Sequence, residues 1–226
     1  MSAVYITGDV HRLKGIRRVI DFCRNTRVKK EDALIICGDF GIGRDDAEML
    51  YRYGGIWPGI ILFIDGNHEN FDFLDSLPAE EWKGGNIHKI SDRIYHLMRG
   101  QVFEIEGKKI FTMGGNATQN KRIREDGIAW QPQEIIGAED VEEGKRNLAR
   151  CDGKVNIIVT HCAPVKILQA ISSKEKSARF LVNEESEKIT GLLEETEYDG
   201  WYVGHYHTDK RLGKTVLIFN DILKII

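Results

Sequence analysis

Five short segments of this 226-residue chain carry side chains that bind divalent metals: Asp9-Val10-His11, Gly38-Asp39, Gly66-Asn67-His68-Glu69, Thr160-His161 and Gly204-His205-Tyr206-His207. Carboxylate, carboxamide and imidazole together form the donor set of borderline cations, and two such cations side by side are a strong solution to phosphate ester hydrolysis. In Asp9-x-His11, residues two apart on an extended segment project the same way, so one carboxylate and one imidazole can grip the same cation. By the same alternation, His205 and His207 share one face. A carboxylate such as Asp39, placed between two metals, can bridge them with its two oxygens. Asn67 offers a neutral carbonyl oxygen, which adds no charge to repel an incoming phosphate. His68 beside it need not be a ligand. It can protonate a departing alkoxide or hydrogen-bond the phosphoryl oxygens, a contribution of about 10²–10⁴-fold. Glu69 then orients His68 or a backbone turn.

Each motif follows an apolar run that reads as a strand: residues 3–7, 33–37, 60–64, 155–159 and 201–203. These runs are continuous rather than alternating, which predicts strands covered on both faces. In open α/β sheets, ligands sit beyond the carboxyl ends of the strands, where all five motifs fall. Helical spacing predicts an amphipathic helix from Lys14 to Arg27, with Ile16, Val19, Ile20 and Cys23 on its apolar face and Lys14, Arg17, Arg18 and Arg24 away from it. Further helices are expected at residues 45–53, 138–149 and 184–195. Residues 101–105 and 109–113 flank Glu106-Gly107-Lys108 as a hairpin, and Leu212-Gly213-Lys214-Thr215 opens a second. The chain is a mixed α/β protein without internal repeats.

With 42% hydrophobic residues, this length can bury a full core, and residues 1–226 are expected to form a single domain. The 32 basic and 35 acidic residues leave a net charge of −3, so no global field favours nucleic acid or an anionic membrane. Cys23, Cys37, Cys151 and Cys162 are dispersed and suit a reducing compartment. Neither a signal pattern nor an apolar run of ~20 residues is present, and a cytoplasmic location is expected.

The five blocks, in this order, resemble the calcineurin-like metallophosphoesterase superfamily, which includes purple acid phosphatases, protein Ser/Thr phosphatases and many bacterial phosphodiesterases. The resemblance runs from residue 9 to residue 207 and implies a four-layer α/β/β/α sandwich, two mixed β-sheets packed face to face with flanking helices. It implies two divalent transition-metal ions, manganese first with iron, zinc, nickel or cobalt as alternatives. Asp39 would bridge them, with Asp9, His11 and His207 on one ion and Asn67, His161 and His205 on the other. A hydroxide held between the ions would attack phosphorus in line, with His68 assisting the leaving group. Arg12, Asn67, His68 and Asn116 are the substrate-binding candidates.

The departures narrow the substrate. Many relatives carry Gly where this chain has Arg12, and Phe40-Gly41-Ile42-Gly43-Arg44 after Asp39 lacks the Asp-Arg pair usual in protein phosphatases. A small phosphoester is therefore expected ahead of a phosphoprotein, with monoesters and diesters nearly level. A nuclease of the same superfamily and a non-catalytic scaffold on this fold are the alternatives; a nuclease would need a basic track that the sequence does not display. Native metals and oligomeric state stay open. His88 and His96 lie outside the blocks and read as surface or loop histidines, Cys162 as a buried structural thiol. Arg44 reads as a solvated helix-start residue, and the loop from Gly114 through Asn116 to Lys121, Arg122 and Arg124 could reach the substrate.

Overall fold

The computed structural model describes residues 2–11, 13–41, 57–118 and 130–226. The expected helix at 45–53, Arg12, Arg44, Lys121, Arg122 and Arg124 lie outside these residues. Along the described chain run β1 (Val4–Thr7), α1 (Leu13–Asn25), β2 (Ala33–Ile36), β3 (Ile60–Phe63), α2 (Phe71–Asp75), β4 (Ala79–Trp82), β5 (Gly85–Ser91), β6 (Ile94–Leu97), β7 (Gln101–Ile105) and β8 (Lys108–Met113). They are followed by α3 (Ala138–Ala149), β9 (Ile157–Thr160), α4 (Val165–Ser172), α5 (Glu184–Leu193), β10 (Gly200–Val203), β11 (Lys210–Leu212), β12 (Thr215–Leu217) and β13 (Leu223–Lys224).

The strands form two mixed sheets. One has the order β13-β1-β2-β3-β6-β5-β4 and the other β11-β12-β10-β9-β8-β7. Strands β1, β2, β3 and β6 pair in parallel at the centre of the first sheet, and β8, β9, β10 and β12 do so in the second. The outer strands run antiparallel.

Packing explains why the runs are apolar throughout. In β1, Val4 and Ile6 face the space between the sheets with Ile35, Leu62, Phe103, Ile110, Ile157 and Val159. Tyr5 turns the other way, onto Ile16 and Val19 of α1 with Leu34, Ile36, Trp57, Ile61 and Phe63. The second sheet repeats the scheme, with Phe111, Met113, Ile158, Trp201 and Val203 facing the helices that carry Leu148, Leu168, Ile189 and Leu192. Each fully buried large side chain contributes about 1.5–3 kcal/mol, so a polar residue on either face of a central strand would be costly. This is the four-layer arrangement of helices, two sheets and helices.

One expectation is corrected here. Residues 79–97 form three strands that extend the first sheet. His88 and His96 lie directly opposite each other on β5 and β6, and both are buried rather than at the surface. Among the described residues, no helix is long and apolar enough to cross a membrane.

Candidate metal centre

The carboxyl ends of β1, β2, β3, β9 and β10 converge, and the five motifs meet there. Asp9, His11 and His207 form one group of candidate donors; Asp39, His161 and His205 form a second. His207 Nε2 lies 2.9 Å from His11 Nε2 and 3.0 Å from Asp9 Oδ2. In the second group, Asn67 Oδ1 is 3.2 Å from His161 Nε2 and 3.1 Å from His205 Nδ1. Asp39 lies between the groups, with Oδ2 at 3.6 Å from His11 Nε2 and Oδ1 at 3.5 Å from His161 Nε2.

The chain bends sharply to achieve this. His11, Asp39, His205 and His207 all adopt positive φ, between 45° and 66°. Such backbone is uncommon outside glycine and clusters at functional sites. It also corrects the expectation that His205 and His207 share a face: neither segment is extended, and the two rings part, one to each group of donors. Gly38, with φ of 91°, passes so close to His161 that a Cβ would overlap Nδ1 of that ring. The turns are laced together by the carbonyl of Asp39, which accepts from the amides of Val10 and His11.

Several hydrogen bonds set the orientation of the donors. The carbonyl of Cys37 lies 2.7 Å from His161 Nδ1, and a carbonyl only accepts, so this nitrogen carries the proton. In the neutral ring, Nε2 then presents its lone pair to Asn67 Oδ1, itself an acceptor. Asp9 Oδ1 accepts from the His205 amide at 2.8 Å, whereas the buried Oδ2 accepts no hydrogen bond although His207 Nε2 is close. Nε2 of His161 and Oδ1 of Asn67, two acceptors facing each other, suit a cation between them. Burial alone would raise the Asp9 carboxyl, but His11 and His207 hold it well below its usual value. Burial, reinforced by neighbouring His161, pushes His205 down to about 3, leaving a neutral imidazole, the form that ligates.

His68 stands beside these groups, its ring edge-on to His11 at 5.2 Å and its backbone amide donating to Asp39 Oδ1 at 2.7 Å. Glu69 accepts from the amides of Phe40 and Gly41, so it fixes the turn after Asp39 rather than the His68 ring. Burial, then the neighbouring Asp39, pushes its carboxyl well above the ordinary value. Asn116 is enclosed, with 1% of its surface exposed; its Oδ1 accepts from Asn183, and it presents no open face to a substrate. Cys162 is fully buried, and burial pushes its thiol up to about 12.

Other residues gave no signal in the sequence. Phe219 stacks on His207 at 4.5 Å and 15°, with the Arg18 guanidinium over the Phe219 ring at 5.4 Å. Arg18 leaves the solvated face expected for it and donates to the carbonyls of Gly8 and Asp9. Asp65 binds Arg99 through Oδ2 and His96 through Oδ1. Arg99 and His96 hold the Asp65 carboxyl below its ordinary value despite burial. Arg179 donates to the carbonyl of Tyr206, between the two histidines of the last motif.

A sequence model described as calcineurin-like phosphoesterase matches residues 2–209. Among curated proteins, a lariat debranching enzyme of Schizosaccharomyces pombe is 25% identical over 208 residues, covering 80% of this chain and 43% of that protein. The lariat debranching enzyme of Drosophila pseudoobscura pseudoobscura is 23% identical over 229 residues, covering 88% of this chain and 41% of that protein. The chain thus spans about two fifths of the length of these relatives. Among solved structures, the TT1561 protein of Thermus thermophilus superposes with a TM-score of 0.54 at 11% identity, covering 99% of this chain and 97% of that one, a likeness of fold.

Proposed function

Because this chain belongs to the calcineurin-like phosphoesterase family, we propose that it hydrolyses phosphoesters at two divalent metal ions held by Asp9, His11, Asp39, Asn67, His161, His205 and His207. The observation that carries this reading is the division of Asp39, whose two carboxylate oxygens face different donor groups at 3.6 and 3.5 Å. When bound, the ions supply Lewis acidity, which lowers the pKa of water and offsets negative charge on phosphoryl oxygens. Manganese is our first choice, and the mixed nitrogen and oxygen donors also suit iron, zinc, nickel and cobalt.

The protein's own residues supply the rest. Asp9 and Asp39 are the carboxylate donors, and Asn67 completes its group without adding charge against an anionic substrate. His68 belongs to neither donor group and is held beside them by its backbone amide, which donates to Asp39. A ring N–H of His68 then donates to the ester oxygen as the alkoxide leaves. The similarity to lariat debranching enzymes favours phosphodiesters, nucleic-acid substrates included, over monoesters.

Initial rates with p-nitrophenyl phosphate and bis(p-nitrophenyl) phosphate, in Mn²⁺ and after chelation, test both levels of the proposal. Metal-dependent cleavage, faster on the diester, is expected. Failure to cleave either ester with two Mn²⁺ bound would overturn the hydrolase reading; preference for the monoester would overturn only the diester choice.

A further inference from the structure

We propose that Thr118 and Glu134 are positioning residues that determine which end of the Asn67 carboxamide faces the metal site, an inference that rests on Asn67 being a ligand as proposed above. The two ends of a carboxamide are nearly alike in shape and opposite in chemistry. Only the oxygen can hold a cation, so something must prevent the flip.

The protons determine what does. Asn67 Nδ2 lies 3.0 Å from Thr118 Oγ1. The same hydroxyl donates to Glu134 Oε2, an oxygen that also accepts from the Thr118 amide at 3.1 Å. A hydroxyl owns a single proton. With that proton committed to the carboxylate, Oγ1 meets Asn67 only as an acceptor, and the end it meets must be NH₂. Oδ1 is thereby turned toward His161 Nε2 and His205 Nδ1, at 3.2 and 3.1 Å. The Cys37 carbonyl fixes the His161 proton on Nδ1, so two acceptors oppose each other across the site. That opposition is unfavourable until a cation joins them, and the relay through Thr118 keeps Asn67 from relieving it by rotating.

The anchor is itself rigid. Glu134 ends a short 3₁₀ helix, residues 132–134, and is fully buried. Its Oε1 accepts from the Gln131 amide, and Gln131 Oε1 in turn accepts from the Phe71 amide, four residues beyond Asn67. Partners of metal ligands typically alter affinity by about 10–100-fold when removed.

Equilibrium dialysis against Mn²⁺ with a metal count per chain tests the relay. The wild type should hold two ions. Thr118→Val keeps the shape but removes the acceptor, and should weaken one ion about 10–100-fold while the other is unchanged; Thr118→Ser should restore the wild-type count. Glu134→Leu removes the carboxylate that takes the hydroxyl proton, which is then free to point at Asn67, and should lose the same single ion. Two ions at wild-type affinity in both Thr118→Val and Glu134→Leu would overturn the relay. A wild type holding fewer than two ions would overturn the metal reading instead. Should neither variant fold, the wild type decides: the ¹⁵N side-chain amide of Asn67, assigned by its loss in Asn67→Asp, should exchange slowly with solvent in the Zn²⁺-loaded protein. Fast exchange there would refute the hydrogen bond to Thr118.

Discussion

Replacing Asp39 with Asn should empty one metal site well before the other. The backbone amide of His68 donates to Asp39 Oδ1 at 2.7 Å. In Asp39→Asn this donor requires the amide oxygen at the Oδ1 position, because NH₂ facing N–H would leave a buried donor unsatisfied at about 1–3 kcal/mol. That preference corresponds to roughly 5- to 150-fold in orientation. The NH₂ then falls at the former Oδ2 position, 3.6 Å from His11 Nε2, where it cannot coordinate. Both ions lose a negative charge, but only the one beside Asp9, His11 and His207 loses a donor atom. At an Mn²⁺ concentration that fills the wild type, Asp39→Asn should retain close to one ion per chain by equilibrium dialysis. Adding His207→Ala should leave that count unchanged, and adding His161→Ala should abolish it. Two tightly held ions in Asp39→Asn, or survival of the His207-side ion instead, would refute the bridging arrangement.

Three further outcomes follow from the same geometry. His68→Gln should keep both ions and lower kcat, with alkyl esters losing far more than p-nitrophenyl esters, whose leaving group needs little protonation; equal losses would remove the general-acid role. Phe219→Leu removes a ring stack worth about 0.5–1.5 kcal/mol and should weaken the ion on the His207 side about 2- to 12-fold, measured by metal titration. Burial, with His96 adjacent, lowers His88 to about 4, so between pH 6.5 and 4 the unfolded chain binds more protons than the folded one, and stability falls as pH falls through that window. Denaturant midpoints of chelated protein at pH 7 and pH 4.5 should differ in that direction, and His88→Leu should flatten the slope.

The parallel strands were legible because both of their faces are covered. Val4 and Ile6 meet the opposite sheet while Tyr5 meets α1, so the burial is written into every position. Ligand identities were legible because carboxylate, amide and imidazole recur at the ends of those strands. Strands β4 to β6 were not, since Glu80 and Glu81 on the edge strand β4, Lys89 on β5 and Asp92 in the turn before β6 are exposed and break any apolar period. Histidine chemistry alone does not distinguish a surface ring from His88 and His96, which become buried by pairing across two strands and meeting Asp65. The parting of His205 from His207 escaped the alternation rule because both residues leave extended backbone. Glu134, 67 positions beyond Asn67, belongs to no spacing pattern at all.

The donors are drawn from both sheets within each group. Asp9 and His11 follow β1 of the first sheet while His207 follows β10 of the second; Asn67 follows β3, and its partners His161 and His205 follow β9 and β10. Neither sheet alone can assemble either set. Bound ions would therefore act as rivets through the seam of the sandwich, joining two layers that otherwise adhere by apolar contact and by hydrogen bonds such as His161 to Cys37 and His205 to Asp9. Their occupancy would set how far those layers can slide or part, so the cell's supply of metal becomes a mechanical property of the fold as well as a condition for its chemistry.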